Sequence, residues 1–321
     1  MRTSDDTPRL TIAITCYSEG PWLKECWDSV LAQTDGRWTA VLVMDGTDHE
    51  PTRRVFASLN HPRLHKEMLP NNQGPYCAGN RAFELAQTPY VFWLDGDDLL
   101  VPNSVSMILD TFERAPEAGC VYGDLELFGG QTGIQRYAEH YTEEDFAHHR
   151  YPPGAFGVRR SVWERLGGFS IELARGMADC DFHFTAMEAG IVARHCVGVL
   201  YRYRIGHSSV SRSYRREYHT KTELILRRHP RLFKDTRLRD IFLAEGYLRA
   251  ALANYETGAK RRGNQLLRIA RRHRARGDRE IWDVFLRANL PPVLYRAVRG
   301  LFRFFRRFCC PRVPERNFHD Q

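Results

Sequence analysis

One local pattern repeats four times before residue 115: a short apolar run, then a stretch whose apolar residues fall three and four positions apart. Leu10 to Thr15 predicts a buried strand, and Pro21 to Gln33 carries Trp22, Leu23, Cys26, Trp27, Val30 and Leu31 at helical spacing. The unit recurs as strand 38–44 with helix 51–59, strand 64–69 with helix 76–86, and strand 90–94 with helix 104–114. A fifth strand, Gly119 to Tyr122, leads to Asp124 and Glu126. Helices alternating with buried strands must cover the sheet, so the expected class is α/β: a mostly parallel sheet with helices on both faces.

Beyond residue 126 the pattern loosens into an irregular insertion containing His140, His148 and His149. Gly154 to Val158, a helix 161–166, the Gly167-Gly168-Phe169 turn and a helix 178–189 follow. Two strands, 191–197 and 199–203, then lead into the polar loop 206–214. From about Arg216 the chain changes to Arg-rich helical periodicity with no strand signal, and 244–256 with 259–273 read as a helical hairpin turning at Thr257-Gly258. The expected division is therefore a catalytic domain over 1–215 and a helical, basic region over 216–321.

A chain of 321 residues, 43% hydrophobic, can bury one large core or two modest ones. A formal net charge of +8 suits nucleic acid, anionic lipid or a phosphate-rich substrate. Nucleic acid ranks low, because no reader motif or aromatic platform accompanies the charge. The eight cysteines show neither C-x-x-C pairs nor framework spacing, which points to a reducing, cytoplasmic setting without zinc or disulfides. Residues 1–9 lack the basic and apolar regions of a secretory signal, and no run of 18 apolar residues occurs.

In open α/β sheets ligands bind beyond the carboxyl ends of the strands. The residues there are Tyr17 and Glu19, Asp45 and Asp48, Asn71 to Gly74, and Asp95, Gly96, Asp97 and Asp98. Carboxylates packed so densely after a buried strand repel one another unless a cation or ligand lies between them. The competing reading is a strand-to-helix turn, where Asp is common as an N-cap.

The segments Ile12-Ala13-Ile14-Thr15-Cys16-Tyr17-Ser18, Ser29 to Thr34, Val43-Met44-Asp45-Gly46-Thr47, Asn72-Gln73-Gly74 and Leu94-Asp95-Gly96-Asp97-Asp98, in that order, resemble family 2 glycosyltransferases over roughly residues 9 to 215. The resemblance implies the GT-A (Rossmann-like) fold, with the C-terminal all-helical region as an appendage. It also implies a nucleotide-diphospho-sugar donor, a divalent cation (Mn²⁺ or Mg²⁺) at a D-x-D motif, and inversion at the anomeric carbon. Asp97 matches the metal ligand, Asp95 its neighbour toward ribose and metal, and Gly96 lies between them in the donor loop. Asp98 then orients the loop.

Asp45 matches the acceptor of a hydrogen bond from the base, which suits the N3–H of uracil or thymine because an ionised carboxylate has no donor. A UDP-sugar is favoured on that ground. Tyr17 either stacks on the base or packs at its strand end, and Thr15 offers main-chain contacts to the same base. Gly74 and Asn80 match the N-x-G and following Asn at a helix start. The family often carries Arg before that Asn, where this chain has Gly79, and Arg81 is one position displaced. Met44 replaces an Asp common in the family.

Asp179, in Ala178-Asp179-Cys180-Asp181, resembles the family's base in E-D-x-D, with Ala in place of the first acid. The alternative is that Asp179 and Asp181 only favour the positive end of a helix dipole. The loop from Tyr201 to Arg212 resembles a segment closing over the diphosphate, with Arg202 and Arg212 as phosphate contacts or solvated charges. His207 within it is a metal ligand or a loop cap. Gly154 to Phe169 resembles the segment meeting the acceptor, a glycan or lipid-linked hydroxyl in hexosyl or N-acetylhexosaminyl transfer. Trp163 there is core or a sugar platform.

Leu294, Val298, Leu301, Phe302, Phe305 and Phe308 share one helical side, opposite Arg296, Arg299, Arg303, Arg306 and Arg307. Residues 290–310 therefore either lie on an anionic membrane, making the protein peripheral on its inner face, or pack their stripe inward. The rival activities are a nucleotidyltransferase or a dinucleotide oxidoreductase, which Tyr17 to Pro21 does not fit for want of G-x-G-x-x-G. A non-catalytic scaffold is the third reading.

Overall fold

The computed structural model describes residues 7–206, 214–273 and 286. His207, Arg212 and residues 290–310 lie outside them. Strand β1 (Leu10–Cys16) pairs in parallel with β2 (Trp38–Met44) and β4 (Tyr90–Asp95), and β3 (Leu64–Met68) extends β2 in parallel. Helices α1 (Trp22–Leu31), α2 (Glu50–Ser58) and α3 (Pro75–Leu85) are the connections. Every residue of β1 is buried, as expected of a largely apolar strand covered on both faces, and its buried Thr11 hydroxyl is satisfied by Thr88 at 2.6 Å. The outer β3, reading LHKEM, is only half-buried.

After the fourth strand the sheet becomes mixed. Strand β5 (Leu99–Leu100) and helix α4 (Ser104–Arg114) precede β6 (Ala118–Gly129), which turns back into β7 (Gly133–Gln135). The stretch expected as an irregular insertion thus contains a hairpin and helix α5 (Glu143–Ala147), whose start is a capping box between Thr142 and Asp145. Strand β8 (Gly157–Arg159) runs antiparallel between β4 and β6. Helices α6 (Arg160–Leu166) and α7 (Ala178–Glu188) then lead to β9 (Val192–Ile205), parallel to β6 and antiparallel to β5. The order across the sheet is β3-β2-β1-β4-β8-β6-β9-β5, with β7 on β6.

The two strands expected at 191–203 are one, β9, with a bulge at Val197 and Gly198. Gly198 sits at φ +112°, and the register with β6 slips between Gly123 and Asp124. A turn glycine between two apolar runs looks the same in sequence as a bulge within one strand.

Helix α8 (Tyr218–Arg228) is tied to α7 through a buried carboxylate. Asp181 accepts from Arg228 Nε at 2.8 Å and Nη2 at 3.1 Å, and pairs with His229 Nε2 at 3.0 Å. His229 Nδ1 meets Glu188 at 3.1 Å. Burial pushes the Asp181 carboxyl up, but the hydrogen bonds from His229 and Arg228 outweigh it and hold the group below its ordinary value. A carboxylate depressed in the folded state contributes stability above its unfolded pKa and loses it as pH falls through the folded one. Asp181→Asn should therefore cost about 2–3 kcal/mol at pH 7, less than a fully buried pair because Arg228 is one-third exposed. In urea titrations the gap from wild type should shrink below about pH 4, the unfolded carboxylate range; a gap constant with pH would contradict the assignment.

The chain forms two compact units, one through Phe242 and one from Leu243, later than the change in sequence character at 215/216. The tie from α7 to α8 is why residues 216–242 go with the first. Helix α9 (Thr236–Glu256) begins before that boundary and ends near Gly258, at φ +80°, and α10 (Lys260–Arg272) returns with Tyr255 donating to Asn264 at 2.7 Å. No helix among the described residues is long and apolar enough to cross a membrane.

Candidate active site

The ends of β1, β2 and β4 meet on one edge. Thr15 stands opposite Asp95 in register, Gly96 N donates to Thr15 O at 2.9 Å, and Asp45 N donates to Cys16 O at 2.8 Å. A Cβ on Gly96 would lie 2.8 Å from the Thr15 carbonyl oxygen, so the turn needs glycine for close approach. Asp45 is buried, and its two oxygens accept from Gln73 N and Gly74 N, each at 2.8 Å. The residue matched to base recognition thus also holds the loop before α3, each oxygen keeping a further lone pair. Gly74 lies at φ +100°, with the Ala174 carbonyl where a Cβ would be. Tyr17 is 42% exposed, its ring available for stacking.

Four carboxylates crowd the same edge. Asp95 accepts from Trp93 Nε1 at 2.9 Å. Burial, and then the charge on Asp97, pushes Asp95 up to about 7. Glu19 is likewise pushed up to about 7, by burial and then by Asp97. Sequence reasoning placed Glu19 after the first strand without a role, and its only signal was that position. Asp98 is buried and raised well above the usual carboxylate range by burial, then by Asp97 and Asp95.

Asp98 accepts from Arg204 N at 2.9 Å, while Arg204 Nε donates to Asp97 O at 2.8 Å and Nη2 reaches Glu25 at 2.7 Å. The Arg204 guanidinium lies over Phe128 at 4.4 Å. This arginine, absent from the sequence-based candidates, fastens the aspartate turn to β9. Arg202, a candidate phosphate contact, sits in β9 beside Glu126 at 3.3 Å and over Phe128 at 4.7 Å.

Among the described residues no three or more His, Cys, Asp or Glu side chains converge as a metal cage. The donor set nonetheless fits Mg²⁺ or Mn²⁺ held in the way of nucleotide sites, by one or two carboxylates completed by substrate phosphates and water. Asp95 and Asp97 are hard oxygen donors whose repulsion such an ion would relieve.

Asp179 lies in the first turn of α7, after Met177 in the left-handed region at φ +69°. Its charge helps raise Asp95, and Trp93, which donates to Asp95 at 2.9 Å, packs against Tyr76, the Asp179 partner, with ring centroids 5.2 Å apart. Tyr76 OH donates to Asp179 Oδ1 at 2.6 Å. Asn80 clamps Phe169, donating to its carbonyl at 2.9 Å and accepting from its N at 2.8 Å, and so shapes the 167–169 turn. A Cβ on Gly79 would run into the Trp93 indole, which leaves no room for the arginine common at that position. Arg81 is no substitute, being paired with Glu67 at 2.7 Å and Glu84 at 3.0 Å. Trp163 is buried against Phe83, ring centroids 5.3 Å apart, and is core.

The model of Glycosyl transferase family 2 matches residues 11–175, from β1 to the approach to α7. Chondroitin synthase of Escherichia coli is 32% identical over 117 residues, covering 36% of this chain and 17% of that protein. Hyaluronan synthase of Pasteurella multocida is 29% identical over 194 residues, covering 57% of this chain and 19% of that protein. The chain spans less than a fifth of the length of these relatives. Among solved structures, S. aureus TarS 1–349 in complex with UDP-GlcNAc aligns with TM-score 0.62 at 15% identity, covering 92% of each chain. The mannosyltransferase PcManGT from Pyrobaculum calidifontis, in complex with GDP-Man and Mn²⁺, aligns with TM-score 0.56 at 18% identity, covering 93% of this chain and 85% of that one. Those likenesses show the GT-A fold. With the family model matched over half the chain, and the ordered strand-end residues standing on one edge of that fold, the chain belongs to glycosyl transferase family 2 and is a glycosyltransferase.

Proposed function

We propose that the chain transfers a hexosyl or N-acetylhexosaminyl group from a nucleotide-diphospho-sugar, UDP-linked by preference, to a hydroxyl of a glycan or lipid-linked acceptor, inverting the anomeric centre. The observation carrying this reading is a run of contacts from the aspartate turn after β4 to α7: Trp93 donates to Asp95 at 2.9 Å, its ring packs on Tyr76 with centroids 5.2 Å apart, and Tyr76 donates to Asp179 at 2.6 Å.

Tyr17 stacks on the base and Asp45 accepts its N3–H, which favours uracil. Asp97 and Asp95 would hold the divalent cation, which would neutralise charge on the departing diphosphate. Asp179 takes the proton from the acceptor hydroxyl as that oxygen attacks opposite the leaving group. Catalysis is assigned to residues 1–215. The names of the chondroitin and hyaluronan synthase relatives support polysaccharide synthesis as the setting.

A nucleotide-sugar screen by thermal shift, with Mn²⁺ and with chelator, tests the reading. UDP-sugars should raise Tm in Mn²⁺ and lose most of that rise in chelator; tight metal-independent binding of an unrelated nucleotide would overturn it.

A further inference from the structure

The two oxygens of Asp179 have different surroundings, and the Cys180 thiol also hydrogen-bonds the carboxylate. Oδ1 receives the Tyr76 hydroxyl at 2.6 Å, within the range of charge-assisted O–H···O⁻ bonds. Burial, and then the charge of Asp179, keeps the Tyr76 phenol well above its ordinary value, so it remains a donor. Its ring is packed against Trp93, centroids 5.2 Å apart, and Phe169 at 6.0 Å. Tyr76 is the second residue of α3, whose N-cap Gly74 is gripped by Asp45.

The other oxygen faces Gly154. A Cβ at that position would stand 2.9 Å from Asp179 Oδ2, yet Gly154 is exposed and its backbone is not in the left-handed region. Glycine is therefore not demanded there by φ. What its missing side chain provides is room beside Oδ2, on the segment expected to meet the acceptor.

Building on the assignment of Asp179 as base, we infer that Tyr76 is a positioning residue that fixes Asp179 by Oδ1, and that Gly154 keeps Oδ2 open to the acceptor hydroxyl. The hydroxyl proton passes to Oδ2, the freed oxygen bonds to the anomeric carbon, and the bond from that carbon to the diphosphate breaks, its electrons leaving with the nucleoside diphosphate. Because Asp45 holds the start of α3 and Tyr76 holds Asp179, one helix links the donor loop to the base.

The test is steady-state kinetics of Tyr76→Phe and Gly154→Ala, each also made in an Asp179→Asn background, with Tm and donor affinity recorded. Tyr76→Phe keeps the ring and deletes one hydroxyl. Its kcat should fall about 10- to 100-fold with donor KM unchanged, and Gly154→Ala should lower kcat in the same direction. Neither should add a further loss once Asp179 is Asn, since coupled residues are not additive. Wild-type kcat in Tyr76→Phe, or a change confined to donor KM, with Asp179→Asn inactive, would overturn this inference and leave the base assignment standing. Near-normal turnover of Asp179→Asn itself would remove the base, and this inference with it.

Discussion

Asp179→Asn should abolish transfer, lowering kcat by about 10³-fold while donor affinity stays within about twofold of wild type. The amide is nearly isosteric with the carboxylate, and its oxygen can still accept from Tyr76, so the geometry of α7 survives. What disappears is the ability to take a proton. Asn is also well tolerated near helix starts, so if Asp179 only complemented the dipole of α7 the substitution would cost no more than about 0.3–1 kcal/mol and leave turnover intact. Kinetics beside calorimetric nucleotide binding separate the two roles, and near-normal turnover would end the base assignment.

Asp97→Asn should lower kcat by about 10²-fold or more at saturating Mn²⁺, matching what chelator does to the wild type. Stability should move the opposite way. Asp97 is the charge that, after burial, raises both Asp95 and Glu19, and it also raises Asp98. Carboxylates raised in the folded state cost stability as pH climbs through their range, so neutralising Asp97 should raise Tm in metal-free buffer at pH 7. A residue serving only as a turn former would show neither sign. Wild-type turnover of the variant in Mn²⁺ would remove Asp97 from the ion site.

Much of the candidate site was legible because strand ends follow from local pattern. The apolar runs of β1, β2 and β4 locate their own ends, and Tyr17, Asp45 and Asp95 to Asp98 follow them directly. Other roles were not legible. Asn80 was matched to the nucleotide, and nothing in that match showed that its side chain also bonds the Phe169 backbone, 89 positions away. Arg202 was matched to phosphate, yet it stands in a strand beside Glu126. Neither Arg204 nor Tyr76 announced itself, since Arg and Tyr are ordinary in strands and on helices.

Sequence alone determined the repeating strand and helix units, and with them the edge on which the candidate residues gather. Burial periodicity belongs to each element by itself, so it can be read without knowing the neighbours. Only the tertiary structure decided that β8 inserts antiparallel beside β4, that Asp179 of α7 meets Tyr76 of α3, and that Arg204 closes the aspartate turn from 106 positions away in contact with Asp98. Hydrogen bonds and charge interactions fall off within a few ångströms and take no account of separation along the chain. Which residues share a site is therefore settled by how the elements pack.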